Sequence, residues 1–260
     1  MPVHAFAVTV YVIWLRELKK YFRERTRLLA MLGQPLLYLL IMGQGLRAMF
    51  QLNIEGFDYL SFMYPGIVAM TILFTSMFAS VSIIWDREFG FLKEVLVAPV
   101  PRSAIAVGKA LGGSTTALMQ GTILLVLAPL AGLSLSLPAV VQILPLLLLM
   151  AFAITSLGTL VAAHTESMEG FHMIMNFIIV PLFLLSGAFF PIGMAPEWMQ
   201  PLMKLNPVAY GVDALRNIMF EASPAKDFIV FYPLYYDVLV LLGFSFVMII
   251  LSITAFNKTE

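Results

Sequence analysis

The sequence predicts an all-α integral membrane protein, and three observations carry that prediction. Of 260 residues, 61% are hydrophobic and only 12% are charged, against about 45–50% and about 25% in an ordinary soluble domain. Apolar stretches near the length of a spanning helix, about 20 residues, recur along the chain, roughly at Leu28–Met49, Tyr64–Ile84, Ala104–Leu130, Ala139–Ala163, Met173–Phe190 and Leu234–Phe256. No segment shows the residue-by-residue alternation of an outer-membrane barrel strand. The expected organisation is an amphipathic interfacial helix over 1–27, followed by a six-helix membrane domain over 28–260.

Composition also excludes several chemistries. Lys plus Arg total 15 and Asp plus Glu total 15. The resulting zero net charge argues against a broad nucleic-acid surface. The chain has no cysteine, which removes disulfides, thiolate catalysis and cysteine-held metal clusters. The first 27 residues are charged and amphipathic and lack the apolar core of a cleavable signal.

Lys and Arg set the expected orientation. Arg16, Lys19, Lys20, Arg23, Arg25 and Arg27 precede the first span. Arg87, Lys93, Arg102 and Lys109 lie between spans two and three, and Lys258 lies in the tail. Only Arg47, Lys204, Arg216 and Lys226 fall on the other side. Both termini are therefore expected in the cytoplasm, with the chain a multi-pass protein of the cytoplasmic (inner) membrane.

Within residues 1–27, Arg16, Lys20, Arg23 and Arg27 recur at helical spacing, and Val10, Trp14, Leu18 and Tyr21 form a second, apolar stripe. A plain orientation signal would need only the charges. The two-stripe pattern favours a helix lying in the membrane plane, its cations toward lipid headgroups, with a cytoplasmic partner also within reach.

Span two runs into WDREFGFLKEVLVAPVPRSAIAVGK, Trp85 to Lys109. Trp85, Phe89, Leu92 and Leu96 share one helical face; Asp86, Gly90, Lys93 and Glu94 fall on or near the other. Proline lacks the N–H and disfavours helix in the residue before it, so Pro99 and Pro101 end the run. The expectation is one short amphipathic helix over Asp86–Val97, with Gly90 near its centre. A solvated loop is the plainer alternative.

The run D-R-E-x-G-x-L-K-E-x-L-x-x-P-V-P-R, Asp86 to Arg102, with Gly108-Lys109, resembles the hallmark loop of ABC transporter permeases of the type-2 exporter family. Further matches are Y-P-G-I at Tyr64–Ile67, L-S-G-A-F-F-P-I at Leu185–Ile192, P-E-W-M-Q at Pro196–Gln200 and L-N-P-V-A-Y-G-V-D-A-L-R at Leu205–Arg216. The resemblance implies a coupling helix that docks on an ATPase subunit through Asp86, Arg87, Glu88, Phe89, Gly90, Leu92, Lys93, Glu94 and Leu96. It also implies an N-terminal in-plane helix, two copies of the permease, and two copies of a separate ATP-binding-cassette ATPase that hold the ATP and Mg. Membrane lipid is the remaining partner, and no nucleic acid is expected.

The absences agree with that division of labour. A phosphate-binding P-loop needs G-x-x-x-x-G-K-[ST]. The nearest approach has Ser103 for the first glycine and Ala110 for the hydroxyl residue. No cofactor, metal or catalytic set is expected in this chain: His164, Glu166, Glu169 and His172 lack a standard zinc spacing and read as a solvated loop.

Residues 191–234 are broken by Pro191, Pro196, Pro201 and Pro207 yet stay apolar, with Trp198 among them. Irregular backbone at membrane depth must be buried in protein or line a wet cavity. Short re-entrant helices in the outer leaflet are expected, as the resemblance also implies, with Asn206 and Pro207 in the motif. Asp213 and Arg216, three apart on one face, are expected to form a structural ion pair. Span polarity is neutral, and Gln34, Gln120 and Asn176 are candidate lining for a substrate pathway. Gly108 and Gly112 form a small-xxx-small pair that admits close helix packing.

These readings converge on the transmembrane subunit of an ATP-driven exporter moving an amphipathic or lipid-linked molecule. The rival is an ATP-independent carrier or a membrane-embedded enzyme. A carrier more often carries an intramembrane charge or paired broken helices, and an enzyme needs a convergent catalytic set.

Overall fold

The structure, a computed structural model, describes residues 3–24, 32–42, 45, 58–90 and 100–258. Among the described residues there are helices and no strand. The helix α1 covers Val3–Arg23 and α2 covers Leu32–Ile41. Tyr59–Ala79 is α3 and Val81–Glu88 is α4; together they form one rod of 30 residues. Arg102–Leu127 is α5, Leu137–His164 is α6 and Met168–Leu184 is α7. Short helices α8, Gln200–Leu205, and α9, Pro207–Met219, follow. The last two are α10, Lys226–Ile229, and α11, Leu234–Lys258.

Local chemistry sets these limits. Ser136 Oγ accepts from Ala139 N at the start of α6, and Ser167 Oγ accepts from Gly170 N at the start of α7. Each satisfies one of the orphan donors of a helix start. Asn206 does the same for α9, accepting from Val208 N at 2.9 Å, while Pro207 stands in the first turn where no N–H is needed.

Among the described residues, four helices are long and apolar enough to cross a membrane: Tyr59–Glu88, Arg102–Ala131, Leu137–His164 and Lys226–Asn257. They overlap the stretches expected as the second, third, fourth and sixth spans. The expected fifth span differs at both ends. Its helix begins at Met168, because Ser167 caps it there, and it stops at Leu184. Leu185–Phe190 turns away through Gly187, whose φ of 75° is open to glycine and strained for other residues. The 17 residues of α7 are at the lower limit for a span, about 26 Å long. For the first span, residues 28–31 and most of 43–49 lie outside the described residues.

The core is organised around α3, which is buried along nearly its whole length. It packs on α5 and α6, and α6 in turn packs on α11. Gly113 is where three rods meet: a Cβ there would stand 2.5 Å from Thr155 Cγ2 and 2.9 Å from Ala79 Cβ. Several core hydroxyls bond within their own helices. Thr71 donates to Ile67 O and Thr159 to Thr155 O, which satisfies them without a partner helix.

The rods outrun the bilayer. A 30-residue helix such as Tyr59–Glu88 is about 45 Å long, against a hydrocarbon core of about 30 Å. Charged side chains gather at one end of the bundle, around Arg16, Glu17, Asp86 and Lys109.

Candidate functional site

At that end α1 lies alongside α5. A Cβ at Gly108 would stand 2.9 Å from Ile13 Cβ, and one at Gly112 would stand 2.6 Å from Glu17 Cβ. Four residues along α5 match four along α1, so the two run side by side. The small-xxx-small pair is therefore a packing groove, and its occupant is α1. Trp14 Nε1 donates to Thr115 Oγ1 at 3.0 Å, and Tyr21 Oη donates to Gln120 Oε1 at 2.7 Å. The aromatic stripe of α1 thus faces the bundle.

The close approach encloses a four-residue ionic joint. Lys109 is 5% exposed. Its Nζ donates to Glu17 Oε1 at 2.6 Å, Asp86 Oδ2 at 2.5 Å and Ser82 Oγ at 3.0 Å. An ammonium has three donors, and all three are used. Arg16 grips the same Asp86 with both forks, Nη1 to Oδ2 at 2.8 Å and Nη2 to Oδ1 at 2.6 Å. Two cations and two carboxylates balance. Asp86 holds the Arg16 guanidinium above its usual pKa, and burial pulls the Lys20 ammonium below its own. A pair this buried is sensitive to losing one member, by about 3–5 kcal/mol.

This arrangement corrects several expectations. The coupling-helix reading gave Asp86 an outward contact. It is buried instead, committed to Arg16 and Lys109. Arg87 is also turned inward, donating to Thr165 O and, at 3.2 Å, to Ala163 O. Glu88 and Phe89 are exposed, Phe89 at 83%. The helix does not run through Gly90: α4 ends at Glu88, and Gly90 takes a φ of 77° as the chain leaves. Asp86–Glu88 are the last turn of the rod from span two, not the first turn of a separate helix. Leu92, Lys93, Glu94 and Leu96 lie outside the described residues.

The basic stripe of α1 is divided. Arg16 belongs to the joint. Lys20 Nζ sits 4.4 Å above the Trp85 ring, a cation–π contact. Lys19 and Arg23 are exposed, and Arg27 lies outside the described residues. Sequence reasoning missed Glu17 and Lys109 as site residues. The available signal was Glu17 itself, the sole carboxylate in α1, one helical turn from the buried Ile13 on the face that meets two glycines.

The opposite end holds the proline-broken motif. Arg216, 2% exposed, donates to Gly187 O at 2.7 Å and lies 4.0 Å from the centre of the Phe62 ring. Asp213 accepts from Phe231 N and Tyr232 N, the shorter bond 2.7 Å. The two therefore turn to separate backbone partners and form no direct pair, because irregular segments on either side leave unpaired carbonyls and N–H groups for them to fill. Asn206 also donates to Leu182 O at 2.7 Å. Pro191 and Pro196 flank a short helical turn at Ile192–Met194, and Trp198 is 70% exposed. Gly66 of the Y-P-G-I motif lets the chain at Ala188 approach: a Cβ on it would stand 2.7 Å from Ala188 Cα.

Of the three candidate pathway residues, Gln120 is fully buried beneath Tyr21, while Gln34 and Asn176 sit on exposed helix faces. The structure does not bring them together.

The pattern of the ABC-2 type transporter family matches residues 8–220, from within α1 through α9. The chain belongs to the ABC-2 type transporter family. A putative transport permease, ycf38, of Cyanophora paradoxa is 29% identical over 222 residues, 84% of this chain and 76% of that protein. Nodulation protein J of Sinorhizobium fredii is 28% identical over 212 residues, 80% of each. The inner membrane transport permease YadH of Escherichia coli K12 is 27% identical over 217 residues, 82% of this chain and 84% of that protein. This ABC-2 protein is thus a transport permease by kinship, consistent with a non-enzymatic membrane subunit, and the family in general implies an ATPase partner.

Proposed function

We propose that this permease is the membrane subunit of an ATP-driven exporter. Two copies form the pathway, six spans each with both termini cytoplasmic. Two separate ATP-binding-cassette ATPases sit below and hold the ATP and Mg. ATP binding draws those subunits together, the motion enters through the loop after α4, and the long rods carry it across the bilayer. The cargo is an amphipathic or lipid-linked molecule. Lys19 and Arg23 of α1 meet anionic headgroups at the cytoplasmic surface.

One observation supports the reading most. Beyond the buried joint, the rod ends in Glu88 and a Phe89 side chain left 83% exposed, at the start of the segment whose sequence marks the family's ATPase contact. A large ring held in the open on a rigid stem is suited to a partner's groove, where its burial is worth about 1.5–3 kcal/mol.

The test is purification of the chain from its host membrane. An ATP-binding-cassette ATPase should co-purify. Phe89→Ala and Glu94→Lys should leave the permease inserted but weaken that association about tenfold, as a loss of roughly 1.4 kcal/mol requires. Absence of any such ATPase, or association unchanged by both variants, would refute the proposal.

A further inference from the structure

Four charges are placed between α1, α4 and α5 where apolar side chains would pack at lower desolvation cost. Replacing a buried ion pair by apolar residues of similar volume is often neutral or stabilising. The arrangement is therefore poorly explained by stability. What the charges add to packing is a sharper register, because apolar contacts tolerate small slips that a three-donor ammonium with fixed partners does not. Lys109 spends every donor, and each goes to a different residue: Glu17 on α1, Asp86 at the end of α4, and Ser82 one turn earlier on α4. Arg16 ties α1 to Asp86 a second time. Phe89, three residues past Asp86, follows directly on the last residue of the same rod.

We infer that Lys109 is a positioning residue: with Glu17 it locks α1 and the stem of the loop after α4 onto α5, so that the three move as one lever. Without the lock the stem keeps its helix and its bonds to α1 and α6, but it loses Lys109, its polar tie to α5, and its direction relative to α5 broadens. The lever role rests on the loop being the ATPase contact, as proposed above; the lock itself does not.

The chain has no native cysteine. Spin labels at Lys19 and Phe89, both exposed, can therefore report the separation of α1 and the loop stem by pulsed electron paramagnetic resonance, with unlabelled chain in excess so that pairs lie within one copy. The key variant is Glu17→Leu with Lys109→Met. It removes the central pair, keeps apolar volume and leaves Asp86 with Arg16. It should insert and melt like the parent, yet lose the narrow distance component. In unlabelled form it should also lose stimulation of the co-purified ATPase. A parent-like narrow distribution would overturn the inference. So would a fall in melting temperature matching the broadening, which marks a joint that is structural and nothing more. If the double variant does not insert, Glu17→Gln with Lys109→Met, which also removes both charges together and keeps the shape at Glu17, is read the same way. Lost narrowness with ATPase stimulation intact would uphold the lock and overturn instead the assignment of the loop as the ATPase contact.

Discussion

Gly66 shows how much can rest on one absent methyl group. It stands in α3 against the turn at Ala188, and that turn is held from the other side by Arg216 through Gly187 O. A Cβ at Gly66 would meet backbone, which cannot swing aside as a side-chain tip can. Gly66→Ala should therefore destabilise the chain by about 1–3 kcal/mol, the range for overpacking a filled site. Thermal unfolding in detergent measures it. Adding Ala188→Gly should recover only part of the loss, because the Cα at 2.7 Å remains; full recovery would mean the contact is not with backbone. The sequence marked both Y-P-G-I and L-S-G-A-F-F-P as motifs, but it could not show that they touch. They lie over a hundred residues apart, and no periodicity reports a contact of that kind.

Between elements, the seam of α1 on α5 was half legible. Gly108 and Gly112 announced a groove, and the apolar stripe of α1 announced a face. That the two meet was hidden by charge. Arg16 and Lys20 read as lipid-facing because basic residues near a span usually are, whereas here Asp86 and Trp85 take them up. The coupling segment was misjudged at Gly90 for a related reason. Apolar spacing continues past it, and periodicity does not register a positive φ. Gly112→Leu should force α1 off the groove, since Glu17 Cβ and Cγ occupy the space at 2.6 and 2.8 Å. Trypsin supplied to the face bearing α1 should then cut after Lys19 and Lys20 faster than in the parent. Equal protection in both would show that the groove does not hold α1.

At the scale of the whole molecule, hydrogen bonds sort the chain into two ends without reference to a membrane. Arg87 binds the last turn of α6, Arg102 donates to Asn257 O at the foot of α11, and Lys109 holds α1. These form one end. Ser61 donates to Ala131 O, Tyr59 to Phe189 O and Asn217 to Tyr232 O at the other. Lys19, Arg23, Arg87 and Arg102 belong to the first end, and Lys204 and Lys226 to the second. Lys and Arg near span ends favour the cytoplasm, so the first end should face inward. Ser134 and Glu197 are exposed near the second end, and Phe89 is exposed near the first. Single cysteines at these three positions need no background removed, because the chain has no other. An impermeant thiol reagent applied to intact cells should label Ser134→Cys and Glu197→Cys and leave Phe89→Cys silent until the membrane is opened. The reverse pattern would invert the orientation and place the ionic joint, with the exposed ring below it, on the side where no ATP is supplied, and no cytoplasmic ATPase could then reach the loop.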